Sequence, residues 1–505
     1  MRTPIFLFAA MLAFVVAGTS MSRAEDITPA MIFVKHATAV GYSLSDGRAK
    51  AFVMKSSDSW VDFNGGRHAA LVTLRRAGAL YREDRTYAGG VTTNGFDGSD
   101  FWRGSANDTV TADGGYSRPF DVSWAVVDSE GYDASLSAEL HDTTRSAYVV
   151  RIHPAGGMPA DVYFDRMTWL VDQVIVDPDG DAIREEYADY KTFGAVQVAT
   201  TRRINGDTIS VTKFDWDVPV AADELSAPPP QNYISFPTGG SVTVPFDPHG
   251  GIIVNASING YSGHFAIDTM ISGISVDPLM AERARLVDST DARFDFFNPD
   301  DLVSTKKAAI QIGGLALNNV QVEVFSNNLA DGFTPFDGYI GLDLFAKAIT
   351  SVNFDWKTIT FSDPAKFHAP PNAYPLPIAL DQGIAQTIVT FNDKQRAYML
   401  LSPSFQSSVA LWQIYMKRHP EVADSDGTII SFNTPSFAEA GRLHSLKVGP
   451  FEQDLVPVMP LGFPQGESFN TGAEGILGEG VLSPFNIVID YPDLKLFLTP
   501  AGSAR

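Results

Sequence analysis

The residues with the clearest chemical potential lie where an apolar run ends in an acid and a hydroxyl. Residues 265–267 lead directly into Asp268 and Thr269, and Pro278 then opens a predicted short helix. A carboxylate in such a position caps the following turn or acts as a catalytic acid or base. This stretch alone leaves both interpretations open.

The chain from about residue 236 to residue 500 presents the same order of segments twice. Strand-like runs, glycine turns and a closing acidic residue recur in both halves. Three near-equal offsets indicate an internal duplication. Offsets of 134, 137 and 135 residues separate three equivalent pairs, namely Asp268 and Ser402, Gly341 and Gly478, and Asp355 and Asp490.

The first copy resembles a lobe of the retropepsin-like aspartic peptidases. The resemblance rests on the apolar strand that enters Asp268-Thr269 and on the segment 339–341 that leads into 342–345. It covers residues 236 to 500 and implies two tandem acid-protease β-barrel lobes, 236–366 and 372–500, in a pepsin-like arrangement. It also implies an aspartic endopeptidase in which Asp268 activates water, Thr269 supports it, and a peptide or protein is the substrate.

The second copy departs from the pattern of that family. Ser402 stands where the second catalytic acid is expected, and Met270 replaces a glycine in the first copy. The usual mechanism needs two carboxylates whose pKa values are pushed apart by sharing one proton. Three candidates could substitute for the missing second carboxylate: Asp393 from another loop, a pairing of first lobes from two chains, or Ser402 itself. Activity therefore stays uncertain, and the alternative is an inactive pseudo-peptidase that binds extended peptides or acyl chains.

The segment 25–227 is predicted to form a separate domain. Thr28 and Pro29 predict the start of a helix and Gly41 its end, and strand-like runs separated by turn residues predict a long antiparallel sheet beyond it. The proline-rich segment 227–230 marks its boundary. The overall prediction is a mainly β protein, with a curved antiparallel sheet and a helix followed by the two lobes.

This first domain resembles the lipoprotein-localisation-factor-like sheet domain. The resemblance rests on four short segments, at 95–103, 151–157, 162–165 and 214–217. It implies a curved sheet that wraps a helix and binds acyl chains or senses envelope components, with no catalytic residue. Trp102 and Trp169 either line a hydrophobic groove or belong to the core.

Composition and the N-terminus bound the function further. The chain has 505 residues, of which 45% are hydrophobic and 19% charged, with a net charge of −22, so we expect neither nucleic acid nor an anionic membrane surface as partner. Residues 1–24 have the pattern of a signal peptide cleaved after Ala24, which predicts an exported, periplasmic or extracellular protein with no membrane span in the mature chain. It contains no cysteine, and its nine histidines are scattered, so no disulfide, metal site or cofactor is predicted.

Overall fold

The fold is mainly β, as the sequence predicts, with large sheets and few, short helices. The predicted signal peptide lies outside the described residues, and the boundaries 25–227, 236–366 and 372–500 stay predictions. The computed structural model describes residues 27–42, 51–61, 67–87, 90–104, 109–112, 118–133, 135–143, 146–178, 182–204, 207–229, 231–271, 273–286, 303–304, 307–324, 336–381, 383–425, 430–431, 441–462 and 473–502.

The helices are short, and the first one matches its sequence signals. The Thr28 hydroxyl accepts a hydrogen bond from the Met31 amide at 3.3 Å, Pro29 opens the helix, and Gly41 ends it in the left-handed region at φ +105°. The α-helices of the described residues are α1 (Pro29–Val40), α2 (Arg118–Asp128), α3 (Ala222–Leu225), α4 (Pro278–Arg283), α5 (Leu342–Phe345), α6 (Gln413–Arg418) and α7 (Glu479–Leu482), and a 3₁₀ helix spans Pro364–Lys366.

Thirteen strands form one antiparallel sheet in the N-terminal part of the chain. They are β1 (Ala51–Val61), β2 (Arg67–Ala77), β3 (Leu80–Tyr87), β4 (Gly90–Phe96), β5 (Phe101–Gly104), β6 (Thr109–Ala112), β7 (Ser137–Thr143), β8 (Ala147–His153), β9 (Ala160–Asp165), β10 (Val171–Val176), β11 (Ile183–Phe193), β12 (Val196–Ile204) and β13 (Asp207–Trp216). Their spatial order is β6-β5-β4-β3-β2-β1-β13-β12-β11-β10-β9-β8-β7. Two meanders of neighbouring strands are therefore joined where β1 pairs with β13.

Helices α1 and α2 cover one face of this sheet. Ile32 and Phe33 of α1 and Phe120 and Val127 of α2 are buried in one hydrophobic cluster with strand residues. The strand residues of that cluster share this face, and they are Val150, Ile152, Ala160, Val162, Phe164, Val171, Val174 and Val176. Burial of these apolar side chains, rather than helix propensity, holds the two short helices in place.

The rest of the chain forms two further sheets that share one hydrophobic core. The nine-stranded sheet contains β14 (Ile234–Ser235), β16 (Ile253–Ile258), β17 (Tyr261–Ile267), β18 (Ile274–Val276), β19 (Val303–Ser304), β20 (Ala308–Ile312), β21 (Leu315–Val320), β22 (Glu323–Val324) and β23 (Gly338–Ile340). The larger sheet contains β15 (Ser241–Pro245), β24 (Ile349–Asn353), β25 (Thr358–Ser362), β26 (Tyr374–Asp381), β27 (Ile384–Phe391), β28 (Gln395–Leu401), β29 (Val409–Trp412), β30 (Asp424–Ser425), β31 (Ile430–Ser431), β32 (Gly441–Val448), β33 (Phe451–Gly462), β34 (Gly475–Leu477), β35 (Phe485–Asp490) and β36 (Lys495–Pro500).

The same local pairing occurs in both sheets. Strand β23 pairs parallel with β17 and antiparallel with β18, and β34 pairs parallel with β28 and antiparallel with β29. Gly338 opens β23 and Gly475 opens β34, and a Cβ atom at either position would overlap the carbonyl oxygen of the neighbouring strand, at Ser275 and Ala410 respectively. Glycine is therefore required where the three strands approach each other.

We predict that Gly475→Ala destabilises the protein. The added Cβ atom has no space against the Ala410 carbonyl, so the strands must move apart at a cost of about 1–3 kcal/mol. Thermal or urea unfolding measures the loss. Gly239→Ala is the control, because nothing lies within 4 Å of a Cβ atom there, and an equal loss in both variants would contradict the argument.

Candidate functional site

Asp268 and Ser402 meet between the two copies of the repeated unit. Asp268 directly follows β17, which pairs parallel with β23, and Ser402 directly follows β28, which pairs parallel with β34. The Asp268 carboxylate accepts a hydrogen bond from the Ser402 hydroxyl, at 2.8 Å to the closer oxygen, and another from the Met270 amide at 3.0 Å. The duplication found in the sequence therefore corresponds to a real spatial pairing of these two positions.

Two further hydroxyls tie the same strand ends together. The Thr269 hydroxyl donates to the Leu401 carbonyl, and the Ser404 hydroxyl donates to the Ile267 carbonyl at 2.6 Å. Each copy thus supplies a hydroxyl that satisfies a buried carbonyl of the other. Thr269 holds the strand ends in this structure, and a catalytic role for it stays a prediction.

The electrostatics of this cluster are those of a single carboxylate. Burial raises the pKa of Asp268 to about 6, and the hydrogen bonds from Met270 and Ser402 oppose that rise. Among the described residues, its hydrogen-bond donors are amides and hydroxyls only. The candidate substitute Asp393 lies at the other end of β28, on an exposed turn, where it pairs with Lys447. Asp268 can hold or release one proton. The roles of general acid and general base cannot be divided between two carboxylates in this cluster.

A second candidate site is an open cleft beside α1 in the N-terminal sheet. Its volume is about 1100 Å³, and it lies between α1, the turn from β11 to β12 and the end of β13. Val34 and Ala37 form the helix side, and Phe193, Phe214 and Trp216 form the sheet side. The cleft is therefore lined largely by apolar and aromatic side chains, although Asp215 and Asp217 also border it.

A smaller cavity lies next to this cleft, inside the sheet. Tyr42, Phe214 and Trp216 border both spaces, and the inner cavity has a volume of about 90 Å³. Phe52 and Met54 of β1 form part of its apolar wall. A slender apolar group could enter from the cleft and extend between these side chains.

One wall of the inner cavity is polar. Arg202 donates to Asp128 at 2.6 Å and to the fully buried Glu185, and the Tyr187 hydroxyl donates to Glu185 at 2.9 Å. Burial raises the pKa of Glu185, whereas the charge of Arg202 opposes that rise. The charges of this wall are paired with one another, which leaves the apolar walls as the free binding surface.

The two tryptophans proposed from the sequence border neither the cleft nor the inner cavity. Trp102 is buried, and Trp169 stacks on Tyr148 with a ring separation of 5.3 Å. Sequence reasoning singled out the segment 214–217 as a family cue but missed its place in a site. The sequence did contain a pattern that could have indicated this site. Residues 214 and 216 are both aromatic, and alternate residues of a strand share one face.

The described part of the chain shows neither a metal-ligand cluster nor a membrane-spanning helix. Its His, Asp and Glu side chains form no group of three arranged to hold a metal ion. None of its helices is long and apolar enough to cross a membrane.

Comparisons with known proteins give structural neighbours only. No family model matches the chain, and no curated protein matches it. A LolA superfamily protein from Nitrosomonas europaea is 8% identical, with a TM-score of 0.32 over 40% of this chain and 98% of that one. A DUF1329 family protein from Desulfovibrio piger is 10% identical, with a TM-score of 0.31 over 39% and 95%. Basic 7S globulin from soybean is 13% identical, with a TM-score of 0.32 over 52% and 95%.

The predicted resemblance to aspartic peptidases is wrong. The descriptions of these neighbours name a LolA superfamily protein, a DUF1329 family protein and a globulin, and none of them names a peptidase. The prediction of an endopeptidase acting on a peptide or protein substrate fails with it. Geometry supplies a physical reason, since Ser402 donates a hydrogen bond where the mechanism needs a second carboxylate.

We predict that Asp268→Asn changes how stability depends on pH. The folded-state pKa, about 6, lies above the unfolded value of about 3.9, so the folded protein holds this proton more tightly. Wild-type stability therefore falls, relative to the variant, as the pH rises from about 4 to above 6, by up to about 3 kcal/mol. Urea unfolding at several pH values measures the difference.

Two further variants complete this experiment. Ser402→Ala removes a donor to the carboxylate, so the pKa of Asp268 should rise further in a carboxyl NMR titration. Asp393→Asn is the control for loss of a charge at an exposed turn. A difference between wild type and Asp268→Asn that stays constant across this pH range would refute the assignment.

Proposed function

We propose that the N-terminal sheet domain binds the acyl chain of a lipid or of a lipid-modified partner. One observation carries this proposal, namely the open aromatic cleft beside α1 that shares Tyr42, Phe214 and Trp216 with a cavity inside the sheet. An open cleft with aromatic walls, beside a second space that shares three of its residues, suits a long, thin, apolar group better than a compact polar one.

The energetics of such binding come from removing methylene groups from water. Each buried methylene contributes about 0.8 kcal/mol, so even a short chain gains useful affinity if the walls are already in place. Paired rings form those walls, since the ring centres of Tyr42 and Trp216 lie 6.1 Å apart and those of Phe52 and Phe214 lie 4.9 Å apart. Rigid aromatic walls lose little conformational freedom when a ligand enters.

The cell envelope is the setting that we propose for this binding. The N-terminal pattern predicts export to the periplasm or the medium, where acyl chains need a carrier to cross water. The net charge of −22 repels anionic membrane surfaces, which favours a diffusing carrier over a membrane-bound one.

We predict that monoacylglycerols bind with an affinity that grows with chain length. The dissociation constant should fall about fourfold for each added methylene until the chain fills the path. Fluorescence of Trp216 gives the measurement, with Trp216→Phe used to assign the signal among the seven tryptophans. Affinity that does not depend on chain length, or no binding at all, would refute the proposal.

A charge placed at the rim of the cleft should weaken this binding. Val34 is 54% exposed and lines the cleft, so Val34→Glu puts a carboxylate beside the apolar path without disturbing the buried face of α1. Leu71→Glu is the matched control, because Leu71 is 68% exposed on the opposite face of the sheet. We expect at least a tenfold loss of affinity in the first variant and none in the second.

A further inference from the structure

Arg76 of β2 is a buried cation with few partners. It is 2% exposed, it donates one hydrogen bond, from Nη1 to the Ala125 carbonyl at 2.9 Å, and its Nε has no hydrogen-bond partner. No carboxylate oxygen of the described residues lies within 4.0 Å of its guanidinium nitrogens. A charge in this situation is costly unless something else pairs with it.

The acids nearby are already engaged. Burial lowers the pKa of Arg76, and Asp128 is the strongest influence that opposes this change. The Asp128 carboxylate, however, accepts a hydrogen bond from Arg202 at 2.6 Å. Glu185 is engaged by Arg202 as well. Arg76 therefore keeps donor capacity that no described side chain uses.

Strand pairing places Arg76 in the middle of an aromatic row. Directly opposite residues on neighbouring antiparallel strands project from the same face, so the row is continuous across six strands. Its members are Trp216 of β13, Phe52 of β1, Arg76 of β2, Tyr81 of β3, Phe96 of β4 and Phe101 of β5. Arg76 is the single charged residue in this row, and its guanidinium lies 5.1 Å from the centre of the Tyr81 ring.

Apolar space lies on both sides of Arg76 along this row. Phe52 and Trp216 border the inner cavity, and Phe96 and Phe101 border a second cleft of about 540 Å³ under α2. Ala125, whose carbonyl accepts the hydrogen bond from Arg76, also lines that second cleft. Arg76 itself lines neither space, so a ligand would reach its guanidinium past Phe52 or Ala125, its neighbours that do line them.

We infer that Arg76 binds the anionic group of an amphiphile whose acyl chain occupies the apolar space beside it. The group is a carboxylate or a phosphate, because the planar guanidinium fork matches two oxygens of either at once. This inference rests on the proposed acyl-chain binding and adds a head-group preference to it. The ion pair would be formed by the ligand in place of a protein carboxylate.

The test compares ligands that differ only in the head group. We expect wild-type protein to bind a fatty acid at least tenfold more tightly than the monoacylglycerol of the same chain length. The reason is that a hydrogen bond to a charged group increases affinity by about this factor. Lysophosphatidic acid of the same chain length replaces the carboxylate with a phosphate and identifies which anion is preferred. Calorimetry measures each dissociation constant.

Arg76→Met removes the charge and keeps most of the side-chain volume. We expect this variant to lose the preference for anionic ligands while its affinity for the monoacylglycerol changes less than twofold. We also expect its ligand-free melting temperature to equal or exceed that of wild type, because an unpaired buried charge has been removed. Arg76→Lys retains a cation without the planar fork and should keep a weaker preference, which preserves the test if the methionine variant folds poorly.

Arg75→Met is the matched control. Arg75 is the neighbouring residue on the other face of β2 and pairs with Asp84, so its loss should not change head-group preference. If no acyl ligand binds wild type, the proposed function fails. If fatty acid and monoacylglycerol bind equally well, and Arg76→Met binds both like wild type, the proposed function stands and the inference about Arg76 is refuted.

Discussion

The structure of the N-terminal domain depends on covering one apolar face of a thirteen-stranded sheet. Two short helices, α1 and α2, bury that face only in part, because together they span 23 residues against thirteen strands. What they leave uncovered becomes the cleft beside α1 and the spaces that continue from it. The binding that we propose for this domain would follow from incomplete coverage of a sheet that would otherwise form an ordinary core.

Two arginines on this face of the sheet, Arg76 and Arg202, differ in how their charges are paired. Arg202 is paired with Asp128 and Glu185, so its charge is neutralised within the protein. Arg76 has one carbonyl partner and an unpaired Nε. An unpaired buried donor such as the Arg76 Nε lowers the stability of the fold. A residue that lowers stability is usually present because it serves a function.

Acids of the two repeated units hold strand ends, and among the described residues one carboxylate lies at the junction of the units. Asp337 accepts a hydrogen bond from the His264 amide at 2.7 Å, and Glu474 accepts one from the Tyr398 amide at the same distance. Burial raises the pKa of Glu474 to about 7. At the junction, a hydroxyl from Ser402 faces Asp268, which avoids repulsion between two carboxylates. The carboxylates of Asp337, Glu474 and Asp268 each accept hydrogen bonds from amides or hydroxyls, and among the described residues the junction holds one acid rather than an acid pair.

Local patterns in the sequence determined a large share of this protein. Alternating apolar residues predict strands, Thr28 and Gly41 predict the ends of α1, and equal offsets predict the pairing of Asp268 with Ser402. These signals are readable because each depends on neighbouring residues or on a repeated order. The peptidase interpretation rested on the Asp268 half of a motif, although the sequence already showed Ser402 in place of an acid 134 positions away.

Only the tertiary structure decided where the proposed binding surface lies. Trp216 and Phe52 are distant in the sequence, and only the register of β1 against β13 places them side by side. Arg76 looks ordinary in the sequence, since nothing there shows which acids will lie near it. Pairing register and the engagement of Asp128 by Arg202 make it a buried, underused cation. The physical reason is that the absence of a partner depends on every residue that packs around a site, and no local pattern encodes that.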